Sequence, residues 1–265
     1  MTTNTILIDA HVHFYGCYEK NAFFAGAEKN FRRAAEELDG VGAYAGCLLL
    51  SETSRDHYFE DWWNEADRGS QGDWQFRKTS EDCSLYATRA GGTPIAIIAG
   101  RQIATSERLE VLALGCRGEF DDGQDLDATL DAVSRRAALA VLPWGFGKWW
   151  FRRGRLISTA IEDHDPSRVS LGDNGGRPVA SPTPKQFATA QARGYAILPG
   201  TDPLSLPSEN ARAGGYGFAL EVSWDEQRPF AAIRDALARR EADLISFGKR
   251  VDPARFLINQ VRIRL

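Results

Sequence analysis

Histidine and cysteine are scarce in this chain, four of each in 265 residues, and methionine occurs once. Cys17, Cys47, Cys83 and Cys116 are widely scattered with no Cys-x-x-Cys pair, which excludes a zinc knot and gives no sign of a disulfide framework. Reduced thiols in a cytoplasmic protein are the expectation. No apolar run approaches the roughly 20 residues that cross a bilayer, and the start, Met-Thr-Thr-Asn-Thr, has no basic n-region, so no membrane association or export is expected. Positive charge is not in surplus either: 32 Lys and Arg stand against 36 Asp and Glu, a formal charge of -4. Without a basic field, nucleic acid is not an expected partner. There is no internal repeat, low-complexity linker or second-domain boundary, so residues 1–265 are read as one domain.

What the chain does have is 43% hydrophobic residues, ample for a core, arranged in short runs. Apolar runs over Thr5–Ile8, Gly46–Leu50, Pro94–Ala99, Leu109–Leu114, Ala138–Leu142, Arg168–Leu171, Ala196–Leu198 and Phe218–Val222 read as buried strands. Helical patterns lie between many of them, over Glu19–Leu38, Leu126–Ala138, Lys185–Arg193 and Arg228–Arg240. Asp125 is a ready N-cap, and Pro184 follows Thr183 where a first helical turn accepts proline. The alternation predicts an α/β fold, a distorted TIM-barrel-like arrangement of about seven or eight parallel strands. The stretch from about 51 to 92 departs from it: a helix around His57, then Trp74–Arg77 and Leu85–Thr88 with a turn at Ala90–Thr93, suggests an inserted helix and hairpins. The end, Arg255–Leu265, alternates apolar and polar residues as an edge or interface strand would.

Parallel strands place ligand sites at their carboxyl ends. Two of the four histidines, His11 and His13, follow the first strand, and a period of two turns both to one side. Arg117 and Glu119 follow the fourth run, Trp144 and Lys148 the fifth, Asp173, Asn174 and Arg177 the sixth, Thr201 and Asp202 the seventh. Glycines flank most of these residues, allowing tight turns and close approach at a binding rim. His164 precedes a strand and belongs to the opposite end.

The segment Asp9-Ala10-His11-Val12-His13 resembles the first motif of the PHP (polymerase and histidinol phosphatase) family, and more distantly that of the amidohydrolases. Gly118-Glu119, Ala140–Gly145 and Gly200-Thr201-Asp202-Pro203-Leu204, with Gly214–Gly217 after it, are similar to later PHP segments. Trp144 and Leu204 stand where those segments offer histidines. The resemblance implies a metal-dependent hydrolase with His11, His13, Glu119 and Asp202 as metal ligands and Asp173 as a substitute carboxylate, holding one divalent Zn, Mn or Fe ion rather than a multi-metal centre. A water would be activated by the metal, with Asp202 accepting its proton and Lys148 or Arg177 stabilising negative charge. Arg117, Arg177 and Trp144 are the expected substrate contacts, and the basic run Arg152-Arg153-x-Arg155 suits a phosphate or carboxylate. The expected partner is therefore a small anionic molecule, with a homo-oligomer possible through the tryptophans of the insertion. The competing reading is a metal-free, non-catalytic relative that binds a small molecule or a protein.

Overall fold

The computed structural model describes residues 3–39, 41–69, 72–239 and 244–262. The chain begins with β1 (Thr3–Val12), α1 (Lys20–Glu37) and β2 (Tyr44–Leu50). α2 (Tyr58–Arg68), β3 (Gln75–Lys78) and β4 (Ser84–Thr88) follow, then β5 (Ile95–Ile98), β6 (Gly100–Ala104) and β7 (Glu110–Leu114). The second half contains α3 (Leu126–Arg135), β8 (Leu139–Pro143), α4 (Phe151–Asp163), β9 (Val169–Asn174), α5 (Lys185–Ala192) and β10 (Ile197–Gly200). It closes with β11 (Tyr216–Ser223), α6 (Pro229–Arg239), β12 (Ile245–Gly248) and α7 (Pro253–Arg262).

These strands form two mixed sheets, not a TIM-like barrel. One has seven strands in the order β12-β11-β1-β2-β5-β4-β3, the other five in the order β10-β9-β8-β7-β6. Only β1–β2, β2–β5, β8–β9 and β9–β10 pair in parallel; the other ladders are antiparallel. The expectation of seven or eight parallel strands fails because two of the foreseen strands run against their neighbours, β11 antiparallel to β1 and β7 antiparallel to β8. β6 sends the chain through the short connection Thr105–Leu109 into β7, far too short for a crossover, so β7 must run antiparallel. β12 then pairs antiparallel with β11 at the far edge of the larger sheet.

Each segment folds for a local reason. Ile6, Leu7 and Ile8 are wholly buried because β1 lies between two neighbours and is covered on both faces. α1 buries Phe23, Phe24, Ala27, Phe31 and Ala34 along one stripe, and Gly26 lets it approach Ala211, whose Cα would be 2.7 Å from an added Cβ. Asp125 caps α3 by accepting from the Ala128 N–H at 2.8 Å. The segment 51–92 does form α2 and the β3–β4 hairpin, and β4 pairs with β5, so it widens the larger sheet. α4 was not foreseen, and it absorbs the basic run Arg152–Arg155 into its first turns. The C-terminal segment is also a helix rather than a strand up to Arg262; residue 240 of the fourth predicted helix and residues 263–265 lie outside the described residues.

Candidate metal centre

The last residues of β1 are where the larger sheet meets the smaller one. Alternation along the strand directs His11 and His13 to one side, and both are almost fully buried. Their Nε2 atoms stand 3.0 Å apart. β10 approaches from the other sheet, and only glycine permits the contact: a Cβ on Gly200 would sit 2.4 Å from the His11 amide nitrogen. Two residues on, the backbone N–H of Asp202 donates to the His11 carbonyl at 2.8 Å. Asp202 adopts a left-handed conformation, φ 47°, that turns its carboxylate back toward the imidazoles. Its Oδ1 lies 3.6 Å from His11 Nε2 and 3.5 Å from His13 Nε2, while Oδ2 accepts from the Asn174 amide.

Asp9 fixes this junction without facing it. Wholly buried, its carboxylate accepts from the Thr201 N–H at 2.7 Å, the Gly214 N–H at 2.8 Å, the His11 N–H at 3.3 Å and the Thr201 hydroxyl. One side chain of β1 thereby holds the exit of β10 and the entry to β11. Burial pushes its pKa up to about 6, against the opposing pull of those four hydrogen bonds.

The donor set fits a divalent ion. Separations of 3.0, 3.6 and 3.5 Å among the three atoms bracket the edge, roughly 3.3–3.4 Å, of a tetrahedron whose ligands stand about 2.0–2.1 Å from Zn²⁺. The electrostatics agree. Burial, with His11 beside it, lowers the His13 pKa to about 4, so the imidazole is neutral and its lone pair free near neutral pH. Burial raises the Asp202 pKa but His11 and His13 outweigh it, leaving a carboxylate below its usual range. The His13 ring stacks on Tyr15 at 5.4 Å, which orients it; its Nδ1 is buried without a hydrogen-bond partner among the described residues.

The remaining sequence-derived candidates are distributed differently. His11, His13 and Asp202 group together; Glu119 and Asp173 do not join them. Because β7 is reversed, its carboxyl end lies beside the start of β8, and exposed Glu119 faces Arg101 at 3.7 Å and His57 at 3.9 Å. Asp173 is gripped by Arg177 through two contacts of 2.8 Å and by the Tyr216 hydroxyl at 2.7 Å. Arg177 is thus spent on a buried ion pair, and Arg117 pairs with Glu60 of α2 beneath Trp63. Trp144 is buried in the apolar cluster containing Trp149, Ile157 and Phe187. The Lys148 ammonium pairs with Glu110, and its charge helps depress Asp202. His164 lies 3.4 Å from Asp127 and is not part of the His11–His13–Asp202 group.

Sequence reasoning missed Gln102 and Glu110. His11 Nε2 lies 3.3 Å from Gln102 Oε1, and the Gln102 amide is 3.4 Å from Glu110 Oε1, which Lys148 also contacts. The available signal was Glu110 itself, a lone carboxylate opening an otherwise apolar run; the reversal of β7 brings that end, not the other, to the histidines.

No family model matches the sequence, and no curated protein matches it. The fold has solved counterparts. PsfC from Pseudomonas syringae PB-5123 superposes with a TM-score of 0.57 at 13% identity, covering 100% of this chain and 98% of that one. The lesion-specific endonuclease PfuEndoQ from Pyrococcus furiosus gives 0.54 at 13% identity over 95% of this chain and 60% of its own. Endonuclease Q bound to a 27-mer duplex with an abasic lesion at the active site gives 0.52 at 12% identity, again over 60% of its length. Identity at this level speaks for the fold alone. One protein of this fold holds a DNA duplex at its active site. Among the described residues no helix is long and apolar enough to cross a membrane.

Proposed function

We propose that this protein is a metal-dependent phosphoester hydrolase whose ion is held by His11 Nε2, His13 Nε2 and Asp202 Oδ1. The observation that carries this reading is the convergence of those ligand atoms, all within 4.8 Å of one another, at the carboxyl ends of β1 and β10, strands of two different sheets. A divalent ion held by these three residues would supply Lewis acidity, lowering the pKa of water and polarising a phosphoryl oxygen.

The protein's own groups divide the remaining work. Asn174 holds Asp202 Oδ2, so Oδ1 is presented toward the imidazoles. Gln102 contacts His11 and Glu110, and Glu110 in turn positions Lys148. Lys148 offers the cationic charge that offsets negative charge developing on the phosphoryl oxygens. The likeness to a lesion-specific endonuclease supports phosphoesters over carboxylated substrates.

Metal analysis of protein purified without chelator tests the reading, with bis(p-nitrophenyl) phosphate and p-nitrophenyl acetate as competing substrates. Near-stoichiometric metal that disappears in His11→Ala and His13→Ala, with turnover of the phosphate diester, is expected. A chain that takes up no metal after incubation with Zn²⁺ or Mn²⁺ is not this enzyme.

A further inference from the structure

The helix α1, the connection from β10 to β11 and the connection from β12 into α7 enclose a cleft of about 310 Å³ that shares no residue with the metal centre. Five cations line it, Arg33, Arg212, Lys249, Arg250 and Arg255, against the carboxylates of Glu37 and Asp252. Glu209, in contact with two of these arginines, makes a third carboxylate, so five positive charges still exceed three negative ones.

The walls of the cleft are fixed from several directions. Glu209 is wholly buried; its Oε2 accepts from Arg212 Nη1 at 2.6 Å and its Oε1 from Arg255 Nη2 at 2.8 Å, so one carboxylate sets two guanidinium groups side by side. Burial acts to raise its pKa, but the two arginines outweigh that and hold it below the usual carboxylate range. Asn30 of α1 secures the backbone on either side of Arg212 by donating to the Ala211 and Ala213 carbonyls, each at 2.9 Å. Across the cleft, Gly248 has φ +74°, and a Cβ on it would stand 2.0 Å from the Gly215 carbonyl oxygen, so only glycine lets the chain leave β12 this close to the entry of β11. Val251 ties that turn to the connection between β9 and α5: its N–H donates to the Gly175 carbonyl at 2.9 Å and its carbonyl accepts from the Val179 N–H at 3.0 Å.

Two cations between these walls have no counter-ion. Among the described residues Lys249 and Arg250 form no ion pair, and Arg250 Nη1 is buried without a hydrogen-bond partner. A buried guanidinium N–H without an acceptor costs stability, and a bound oxygen removes that cost. A carboxylate would cancel only part of the excess charge. A phosphoryl dianion cancels it and presents several oxygens to the guanidinium forks and the Lys249 ammonium.

We infer that this cleft binds a dianionic phosphoryl group at Arg212, Lys249, Arg250 and Arg255. The site goes beyond the hydrolase reading, since no metal ligand lines the cleft and binding there needs no metal.

Calorimetric titration of the full chain in EDTA, at about pH 8 where a phosphomonoester is a dianion, compares glycerol 3-phosphate, inorganic phosphate and acetate. Both phosphoryl ligands should bind once per chain and about tenfold or more tightly than acetate. Tighter binding of glycerol 3-phosphate marks an organic ester as the occupant; phosphate bound as tightly or more tightly marks the free ion. Exposed Lys249, replaced in Lys249→Gln, and half-buried Arg250, replaced in Arg250→Gln, should each cost about tenfold in affinity, the order of one lost charge-assisted hydrogen bond, and flatten the salt dependence. Arg135→Gln, on α3 and not lining the cleft, should leave binding unchanged. Absent binding, acetate held as tightly as phosphate, or Lys249→Gln and Arg250→Gln no weaker than Arg135→Gln overturns the inference. Because EDTA removes any metal, that result is independent of the metal analysis on which the hydrolase reading stands or fails.

Discussion

Asp202 is tied to His11 twice, by a backbone hydrogen bond of 2.8 Å to its carbonyl and by a carboxylate 3.6 Å from its imidazole. The first contact places the Asp202 backbone in a left-handed conformation beside β1, and the Asn174 amide on Oδ2 leaves Oδ1 facing the imidazoles. The backbone contact does not need the carboxylate, so ligation and folding are separable at this position. Asp202→Gly should keep the parent melting temperature within a few degrees and lose most bound metal. Asp202→Ala should lose the metal too, and in addition about 1 kcal/mol of stability, because alanine tolerates the conformation poorly. Paired metal analysis and thermal melts of the two variants check this.

Gly200 is the other hinge of the same contact. An alanine Cβ there meets the His11 amide nitrogen at 2.4 Å and the His11 Cβ at 2.6 Å, both on a central strand that cannot yield. Gly200→Ala should therefore cost about 1–3 kcal/mol and separate Asp202 from the imidazoles. The expected result is a folded protein with a lower melting temperature and at least tenfold weaker Zn²⁺ binding; unchanged metal affinity would contradict it.

Protonation of His13 opposes folding. Its folded pKa, near 4, is below the ordinary 6.5, so the neutral ring contributes fully above about pH 6.5 and that contribution is lost as pH falls toward 4. Asp9 has the opposite sign: with its pKa raised to about 6, its burden on folding is relieved over the same interval. In chelator, the stability difference between the parent and His13→Gln should shrink as pH falls from about 6.5 to 4. Urea denaturation at several pH values measures it, and a difference independent of pH would refute the assignment.

Asp9→Asn replaces an oxygen acceptor by a donor among groups that can only donate or already do so: two backbone N–H groups from Thr201 and Gly214 point at this carboxylate. At least one buried N–H is left facing another. A loss of about 2–4 kcal/mol is expected, visible in the denaturation midpoint, together with loss of metal.

Among the described residues, ten of the twelve strands and five of the seven α-helices were legible, because their apolar residues form short β-type runs or recur at roughly 3.6 residues. β6 was not, because Gly100-Arg101-Gln102-Ile103-Ala104 holds only two apolar side chains besides its neighbours' backbone contacts, and its role is to carry the chain from one sheet to the other. Missing it reversed the direction assigned to β7, and with it the rim assigned to Glu119, while Glu110 at the other end of the strand was passed over. His11, His13 and Asp202 could be placed at strand ends because β1 and β10 do lie beside each other with their carboxyl ends at one rim. Whether Asp173 faced that rim depended on Tyr216 and Arg177, partners 43 and 4 residues away that no local pattern joins.

β1 and β10 touch without a ladder between them, joined through the Asp9 carboxylate and the Asp202 amide. A ladder fails only when a whole strand lets go; this seam can part by losing a handful of hydrogen bonds while both sheets stay intact. Local opening along it would dismantle the His11–His13–Asp202 group well before the protein unfolds. Retention of the active arrangement and retention of the fold are therefore two separate stabilities here, and amide exchange at Thr201, Asp202 and Gly214 reports the first.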